Sequence, residues 1–358
     1  MCYAFINFAT QFLSLNKNAK DIPLISIAVA TYNAGKYLRE QLDTLIGQTY
    51  PNIEVVISDD GSTDGTLDVL KEYQERYPNF RVYHNDAPHG VKPNFANAIR
   101  HSEGIYIALC DQDDIWMLDK IEKLSAVIRN NTMAYHNSLF VDDNGKSLDR
   151  TIASRLNCYH GSDPRAFLMC NTVSGHALMF HRKLIDLALP FPDVEHHDWW
   201  LAFRAADNGG IAYLDEVLVH YRQHSNSQTD FFSLKRKTAQ ERKAEKEKLD
   251  RDTADWLAAC ASVPGKHQSF IKQWIRLMQN KKKRAFNYEF FKMAMKSRKS
   301  LFFMRKKGGL STFFYILRSS WSDDARRVMK NLKNRILFRR RREDDDLLFI
   351  EDPDRFSN

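Results

Sequence analysis

The sequence predicts an α/β fold built on a mostly parallel sheet, followed by a basic, mainly helical C-terminal region. Three observations carry that reading. Four short apolar runs recur at intervals of roughly 25 to 30 residues, the size of one βα repeat. Each run is followed by a longer amphipathic segment, the alternation that builds parallel sheets. The charge then changes sign along the 358 residues: 1–229 hold 20 Lys and Arg against 28 Asp and Glu, whereas 230–358 hold 33 against 17. The halves therefore carry −8 and +16 within a total of +8.

Taken in order, Leu24 to Ala30 reads as a buried strand, Gly35 to Gly47 as a helix, Ile53 to Ser58 as a strand and Thr63 to Tyr73 as a helix. Arg81 to His84, Lys92 to His101 and Ile105 to Cys110 complete the pattern as strand, helix and fourth strand. Beyond Ser125 the alternation fades. Met133 to Val141 and Ala177 to His181 read as strands, Asp142 to Gly145 as a turn, Asp198 to Asp207 as a helix, and Ala212 to Tyr221 as a strand pair or one extended stretch. Charged helical sequence follows over 234–259, 268–281 and 288–297. The expected organisation is an N-terminal extension (1–22), an α/β domain (23–229), a basic helical region (230–338) and a charged tail (339–358).

At 43% hydrophobic and 27% charged residues the composition is that of a globular chain, not a disordered or collagen-like one. Five cysteines with no CxxC pair suggest neither a disulfide framework nor a zinc knuckle and fit a reducing cytosol. Residues 1–15 make a poor signal peptide, lacking a basic start. No window supplies the roughly 18 to 20 apolar residues of a spanning helix.

In open sheets of this kind ligands bind outside the carboxyl ends of the strands. Thr31-Tyr32-Asn33, Asp59-Asp60-Gly61-Ser62 and Asp111-Gln112-Asp113-Asp114 all stand at such ends. The last cluster sets carboxylates close together, which is costly unless a cation such as Mg²⁺ or Mn²⁺ relieves the repulsion. The alternative is that these acids cap a helix starting near Trp116. A carboxylate of Asp59 or Asp60 could accept the imide N–H of a uracil or thymine ring, while Ser62, Thr63 and Asp64 suit a helix cap.

The succession ISIAVATYNAGKYLREQLDTLIGQTYPNIEVVISDDGSTDGT, GVKPNFANAI and GIYIALCDQDDIW resembles the nucleotide-binding half of family 2 glycosyltransferases with the GT-A fold. SGHALMF and HHDWWLAFRAADNGGIAYLDEVLVHYRQHSNS are similar to its rhamnosyltransferase-like branch. The likeness covers about residues 24–229. It implies a Rossmann-like mixed sheet and an inverting, metal-dependent transfer from a dTDP- or UDP-linked sugar to a bacterial surface glycan such as O-antigen, lipopolysaccharide core or capsule. Thr31, Tyr32 and Asn33 would lie beside the base and ribose, with Asp59 or Asp60 reading the base. Asp111 and Asp113 match the DxD pair, Asp113 being the better ligand for Mn²⁺ or Mg²⁺, and Asp114 would orient the loop or contact the sugar.

Asp198 matches the catalytic base, and an expected helix start there would favour its anionic form. Trp199 and Trp200 are candidates for an apolar acceptor wall, one of them being core. Arg222 could fork onto the diphosphate and His224 could be a third metal ligand. Lys92 is a weaker phosphate candidate.

A sugar-phosphate nucleotidyltransferase would want a glycine- and basic-rich loop after the first strand, where Thr31 to Lys36 offers only Gly35 and Lys36. The basic half has three readings: a solvated helical face, a nucleic-acid surface, or attachment to anionic lipid. Its aromatic residues interleaved with cations suit the headgroup region. Because relatives often act on lipid-carried glycans, lipid is favoured over nucleic acid, and the expected location is the inner face of the bacterial cytoplasmic membrane. A nucleic-acid-associated protein using that half is the rival from another class.

Overall fold

The structure is a computed structural model and describes residues 22–194, 196–224, 238–280, 285–306, 308–322 and 324–328. The N-terminal extension, the charged tail and the Lys281–Arg284 cluster lie outside the described residues, apart from Ile22. The chain divides into two compact units, residues 1–266 and 267–358.

The first unit is organised by one nine-stranded sheet: β1 (Ile25–Thr31), β2 (Ile53–Asp59), β3 (Phe80–His84), β4 (Tyr106–Cys110), β5 (Ile115–Trp116), β6 (Met133–Val141), β7 (Ser147–Thr151), β8 (Leu178–His181) and β9 (Ile211–Arg222). The order is β3-β2-β1-β4-β8-β6-β9-β5, with β7 paired to β6. The first four are parallel, and the almost wholly buried runs of β1, β2 and β4 are what a sheet covered on both faces requires, while β3 at the edge is only partly buried. Register pairs Thr31 with Asp59 and Asp59 with His84, so their carboxyl ends share one rim. Beyond β4 the sheet becomes mixed, since β8 runs antiparallel to both β4 and β6.

Helices α1 (Leu38–Ile46), α2 (Thr66–Arg76), α3 (Val91–His101) and α4 (Lys120–Ile128) follow β1, β2, β3 and β5. Leu38, Leu42 and Leu45 of α1 and Ile121 and Leu124 of α4 form one core with Ile25, Ile27, Val55 and Ile57. Two expected helix starts differ. Helix α2 begins three residues later than Thr63 because Gly61 and Gly65, at φ 83° and 89°, turn the chain first. No helix starts near Trp116 either. Ile115 and Trp116 extend along the last strand, pairing with His220 and Val219, and Trp116 enters the core. The acids before them therefore do not cap a helix.

Strand β9 is one strand of 12 residues whose pairing with β6 shifts register around Asn137. Helix α5 (His197–Asp207) packs behind the rim, and α6 (Ala239–Ser262) belongs to this unit. The charge change near residue 230 and the packing boundary at 266 thus do not coincide, because Trp256 of α6 inserts against Trp199, Trp200 and Phe203 of α5.

The second unit contains α7 (Gln268–Asn280), α8 (Tyr288–Lys296) and α9 (Gly309–Ser319) around Trp274, Phe290, Ala294, Leu301 and Ile316. Trp274 stacks on Phe290 with centroids 4.9 Å apart. No helix among the described residues is long and apolar enough to cross a membrane. Cys110, Cys158, Cys170 and Cys260 are free thiols.

Candidate active site

Three loops meet at the shared rim. Gln112 clasps the loop after β1: the Tyr32 amide donates to its Oε1 at 2.8 Å, and its Nε2 donates to the Tyr32 carbonyl at 3.1 Å. Asn33, in the left-handed region at φ 45°, accepts from the Thr63 amide at 2.8 Å, while its own amide donates to Ser62 Oγ at 2.9 Å. Asp64 accepts from the Gly35 amide and from Thr66, one residue ahead of the N-cap position, which is Gly65 and makes no side-chain cap.

Asp59 is fully occupied within the protein. Its Oδ1 accepts from the Gly61 and Ser62 amides, and its Oδ2 accepts from the Thr31 and Ser62 hydroxyls. Both Asp59 and Thr31 are buried, and the β1–β2 register faces them at each other, so their side chains satisfy one another. Asp60, also buried, accepts from Asn85 Nδ2 at 2.6 Å on Oδ1, where His89 Nδ1 lies 3.3 Å away, and from the Gly90 amide at 2.8 Å on Oδ2, so Oδ2 keeps acceptor capacity. Tyr32 presents an exposed ring at the same rim, 54% accessible.

Asp114, 1% exposed, accepts from the Arg222 amide through Oδ1, while its Oδ2 is buried with no partner. Ligand atoms of Asp111, Asp114 and His176 all lie within 4.8 Å of one another. Burial, reinforced by the charges of Asp113 and Asp198, pushes the Asp111 carboxyl up to about 7. Burial and the neighbouring Asp113 and Asp111 push Asp114 well above its ordinary range. An orphaned carboxylate oxygen facing a second carboxylate and an imidazole is the donor set that a hard divalent cation neutralises. The residues present fit such an ion.

His176, part of the SGHALMF segment but assigned no role from the sequence, enters through the turn before β8. Its Nε2 pairs with Ser138 Oγ at 2.9 Å, and the ring stacks on Tyr221. Lys120, wholly buried, donates to the His176 carbonyl at 2.6 Å and sits 3.1 Å from the centre of the Trp116 ring.

The end of β9 closes the cluster because β5 pairs with it directly after the acid loop. His224 Nε2 lies 2.8 Å from Asp113 Oδ2, as a shared ligand or hydrogen-bond pair requires. Arg222 does not reach for a phosphate. Its guanidinium is buried over Tyr37, donating to the Asp113 carbonyl at 2.9 Å, the Asp143 carbonyl at 3.0 Å and Glu40 at 2.6 Å. It ties the acid loop to α1 and to the β6–β7 turn. Lys92 likewise points away, donating to the Val194 carbonyl at 2.5 Å.

Asp198 stands in the first turn of α5, with Gly175 against it: a Cβ there would come within 3.9 Å of the Asp198 Cβ. Partial burial raises its carboxyl, opposed by the positive field of His196 and by the Trp199 and Gly175 amides. The amides at the helix start favour the anion, as expected, but do not outweigh burial. Trp200 is core, its indole donating to the Ala188 carbonyl at 3.0 Å. Trp199 is half-buried against Trp256, and both indoles donate to the Phe167 carbonyl, at 2.7 and 3.0 Å. Trp200 is thus not an acceptor wall, and Trp199 keeps only an edge for one.

Residues 26–187 match the family model for glycosyl transferase family 2. The chain carries a family 2 glycosyltransferase domain. An uncharacterised Mycobacterium tuberculosis protein is 32% identical over 210 residues, 56% of this chain and 59% of its own length. The chain thus spans little more than half of that relative. The Escherichia coli UDP-Glc:alpha-D-GlcNAc-diphosphoundecaprenol beta-1,3-glucosyltransferase WfgD is 26% identical over 60% of this chain and 83% of its own. Staphylococcus aureus TarS 1-349, solved with UDP-GlcNAc, aligns over 78% of this chain and 81% of its own, at TM-score 0.51 and 18% identity. The fold is accordingly of the GT-A type, with the added helical region.

Proposed function

We propose that this chain is an inverting glycosyltransferase that moves a sugar from a nucleoside-diphosphate donor to a hydroxyl of a bacterial surface glycan. The observation that carries the reading is the convergence of Asp111, Asp114 and its orphaned oxygen, and His176 at the strand ends, with Asp198 in their electrostatic field. Tyr32 offers a face for the base, and the Asp60 carboxylate has acceptor capacity for the imide N–H of uracil or thymine. That preference, with the family likeness, supports a UDP-hexose or dTDP-rhamnose donor. WfgD bears the name of an enzyme acting on a diphosphoundecaprenol-linked sugar, which supports a lipid-linked acceptor and work at the inner membrane face.

Asp111, Asp114 and His176 would hold Mn²⁺ or Mg²⁺, with Asp113 and His224 beside them. When bound, the ion supplies positive charge to stabilise the departing diphosphate. Asp198 takes the proton of the acceptor hydroxyl as that oxygen bonds to the anomeric carbon. The bond from that carbon to the diphosphate breaks on the opposite face, and the nucleoside diphosphate keeps the electron pair. A raised carboxyl pKa suits this task, because a base works best with a pKa near the working pH. In Asp198→Asn protein, turnover should fall about 10²- to 10⁴-fold, with donor affinity retained by calorimetry. Near-normal turnover would remove Asp198 from the role.

A further inference from the structure

Helix α9 of the second unit is apolar on both faces. From Gly309 to Leu317 it contains no charged residue. Its inner face buries Thr312 and Ile316, and Phe313 meets Phe291 edge-on with centroids 6.0 Å apart. The opposite face carries Leu310 at 73% and Phe314 at 57% exposure, with half-buried Leu317 following on the same side in the 3.6-residue period. Isolated exposed hydrophobic residues need no explanation, but a contiguous stripe marks a contact surface.

Charge says what covers it. Residues 267–328 hold 16 Lys and Arg against 3 Asp and Glu. Arg318 lies beside Phe314 in the helical period, and Lys306 is exposed just before the helix. Arg305 lies over the Tyr315 ring, 4.1 Å from its centre. Apolar side chains flanked by cations match the boundary between acyl chains and anionic headgroups, where buried apolar area and electrostatic attraction act together. We infer that α9 is an interfacial helix that seats Leu310 and Phe314 among the lipids of an anionic bilayer. This deepens the proposed action on a lipid-linked acceptor and rests on it for its purpose, but its evidence is independent of the rim.

The full chain should co-sediment with vesicles containing phosphatidylglycerol, more weakly with pure phosphatidylcholine, and less as salt rises. Replacing both exposed side chains (Leu310→Asp, Phe314→Asp) should weaken binding roughly tenfold or more. Circular dichroism and donor binding should be unchanged, since neither side chain is buried. A single tryptophan probe, Phe314→Trp, should shift its emission to the blue on the anionic vesicles. Unaltered vesicle binding by the double variant overturns the inference, as does a wild-type dimer that dissociates in the variant without any vesicle affinity. Donor binding separates the two proposals: its loss together with intact vesicle binding would discard the transferase reading and leave the interfacial helix standing.

Discussion

Replacing Asp114 with Asn should stabilise the metal-free protein while abolishing its response to metal. The Asp114 carboxyl is 1% exposed, and its ligand oxygen lies within 4.8 Å of those of Asp111 and His176. If both acids were ionised, their repulsion at that separation would be about 3.5 kcal/mol at an effective dielectric near 20. If Asp114 is instead held protonated, folding at pH 7 must neutralise a group whose ordinary pKa is 3.8. At about 1.4 kcal/mol per pH unit that costs about 4 kcal/mol. Either route sets a similar ceiling. Asn keeps the acceptor for the Arg222 amide and turns an N–H₂ toward Asp111, at some cost for the buried amide. The expected net gain is about 1–3 kcal/mol, or roughly 2–4 °C in Tm for each kcal/mol in a unit of this size. Wild-type protein at a hundredfold excess of Mn²⁺ over its Kd should gain about 2.7 kcal/mol, and the variant should gain nothing. Paired thermal melts in EDTA and in Mn²⁺ read both effects. A variant that melts lower without metal and keeps the full Mn²⁺ shift would refute the shared-charge account.

Arg222→Lys cannot reach the Asp113 and Asp143 carbonyls and Glu40 together, so urea denaturation should show a loss of about 2–3 kcal/mol, with weaker Mn²⁺ binding; an unchanged midpoint would mean the tie is not made. Asp111, raised to about 7, keeps a proton that the unfolded chain has lost between about pH 4 and 7, so its own contribution to metal-free stability falls there. Lys120, lowered to about 7 from 10.5 by burial, has lost a proton that the unfolded chain keeps above 7, so its contribution rises there. The buried His176 and His197, lowered to about 3, act against Asp111 below about pH 6.5, so the Asp111 share is read as the difference between wild-type and Asp111→Asn melts from about pH 5 to 9 in EDTA. A difference that does not change with pH would contradict it. Gly104→Ala would place a Cβ 2.6 Å from the Ser26 amide nitrogen and 2.8 Å from the Leu24 carbonyl, backbone that cannot yield without disturbing β1. A loss of at least about 1–3 kcal/mol is expected in urea, and wild-type stability would show that the two strands can part.

The parallel half was legible because β1, β2 and β4 are mostly buried, mostly apolar runs bounded by Gly, Asn and Asp, β3 being only partly buried. The same local signals exposed the rim acids. What the sequence could not show is which polar side chains are consumed by the protein. Asp59 and Asp60 are neighbours of identical type, yet strand register turns one onto Thr31 and leaves the other facing the loop after β3. Arg222 has the chemistry of a phosphate clamp, but three acceptors brought together by α1, the acid loop and the β6–β7 turn occupy it. His176 lies in the SGHALMF segment and Lys120 at the start of α4, but no local pattern marks either as a neighbour of the acids; tertiary packing delivers them there. The charge boundary near 230 and the packing boundary at 266 differ because α6 is charged on its outside while Trp256, Leu257 and Cys260 are buried.

The Gln112 clasp has a consequence for how a ligand would be sensed. Because one side-chain amide imitates a strand partner for Tyr32, the segment presenting the aromatic ring and the segment presenting the carboxylates are coupled as a single lever. A nucleotide that displaces the ring by a fraction of an ångström would tug the anionic turn with it, so the heterocycle at one end of a bound molecule and the cation affinity at the other would be felt jointly. Severing the coupling with Ala at position 112 would let each end be recognised on its own.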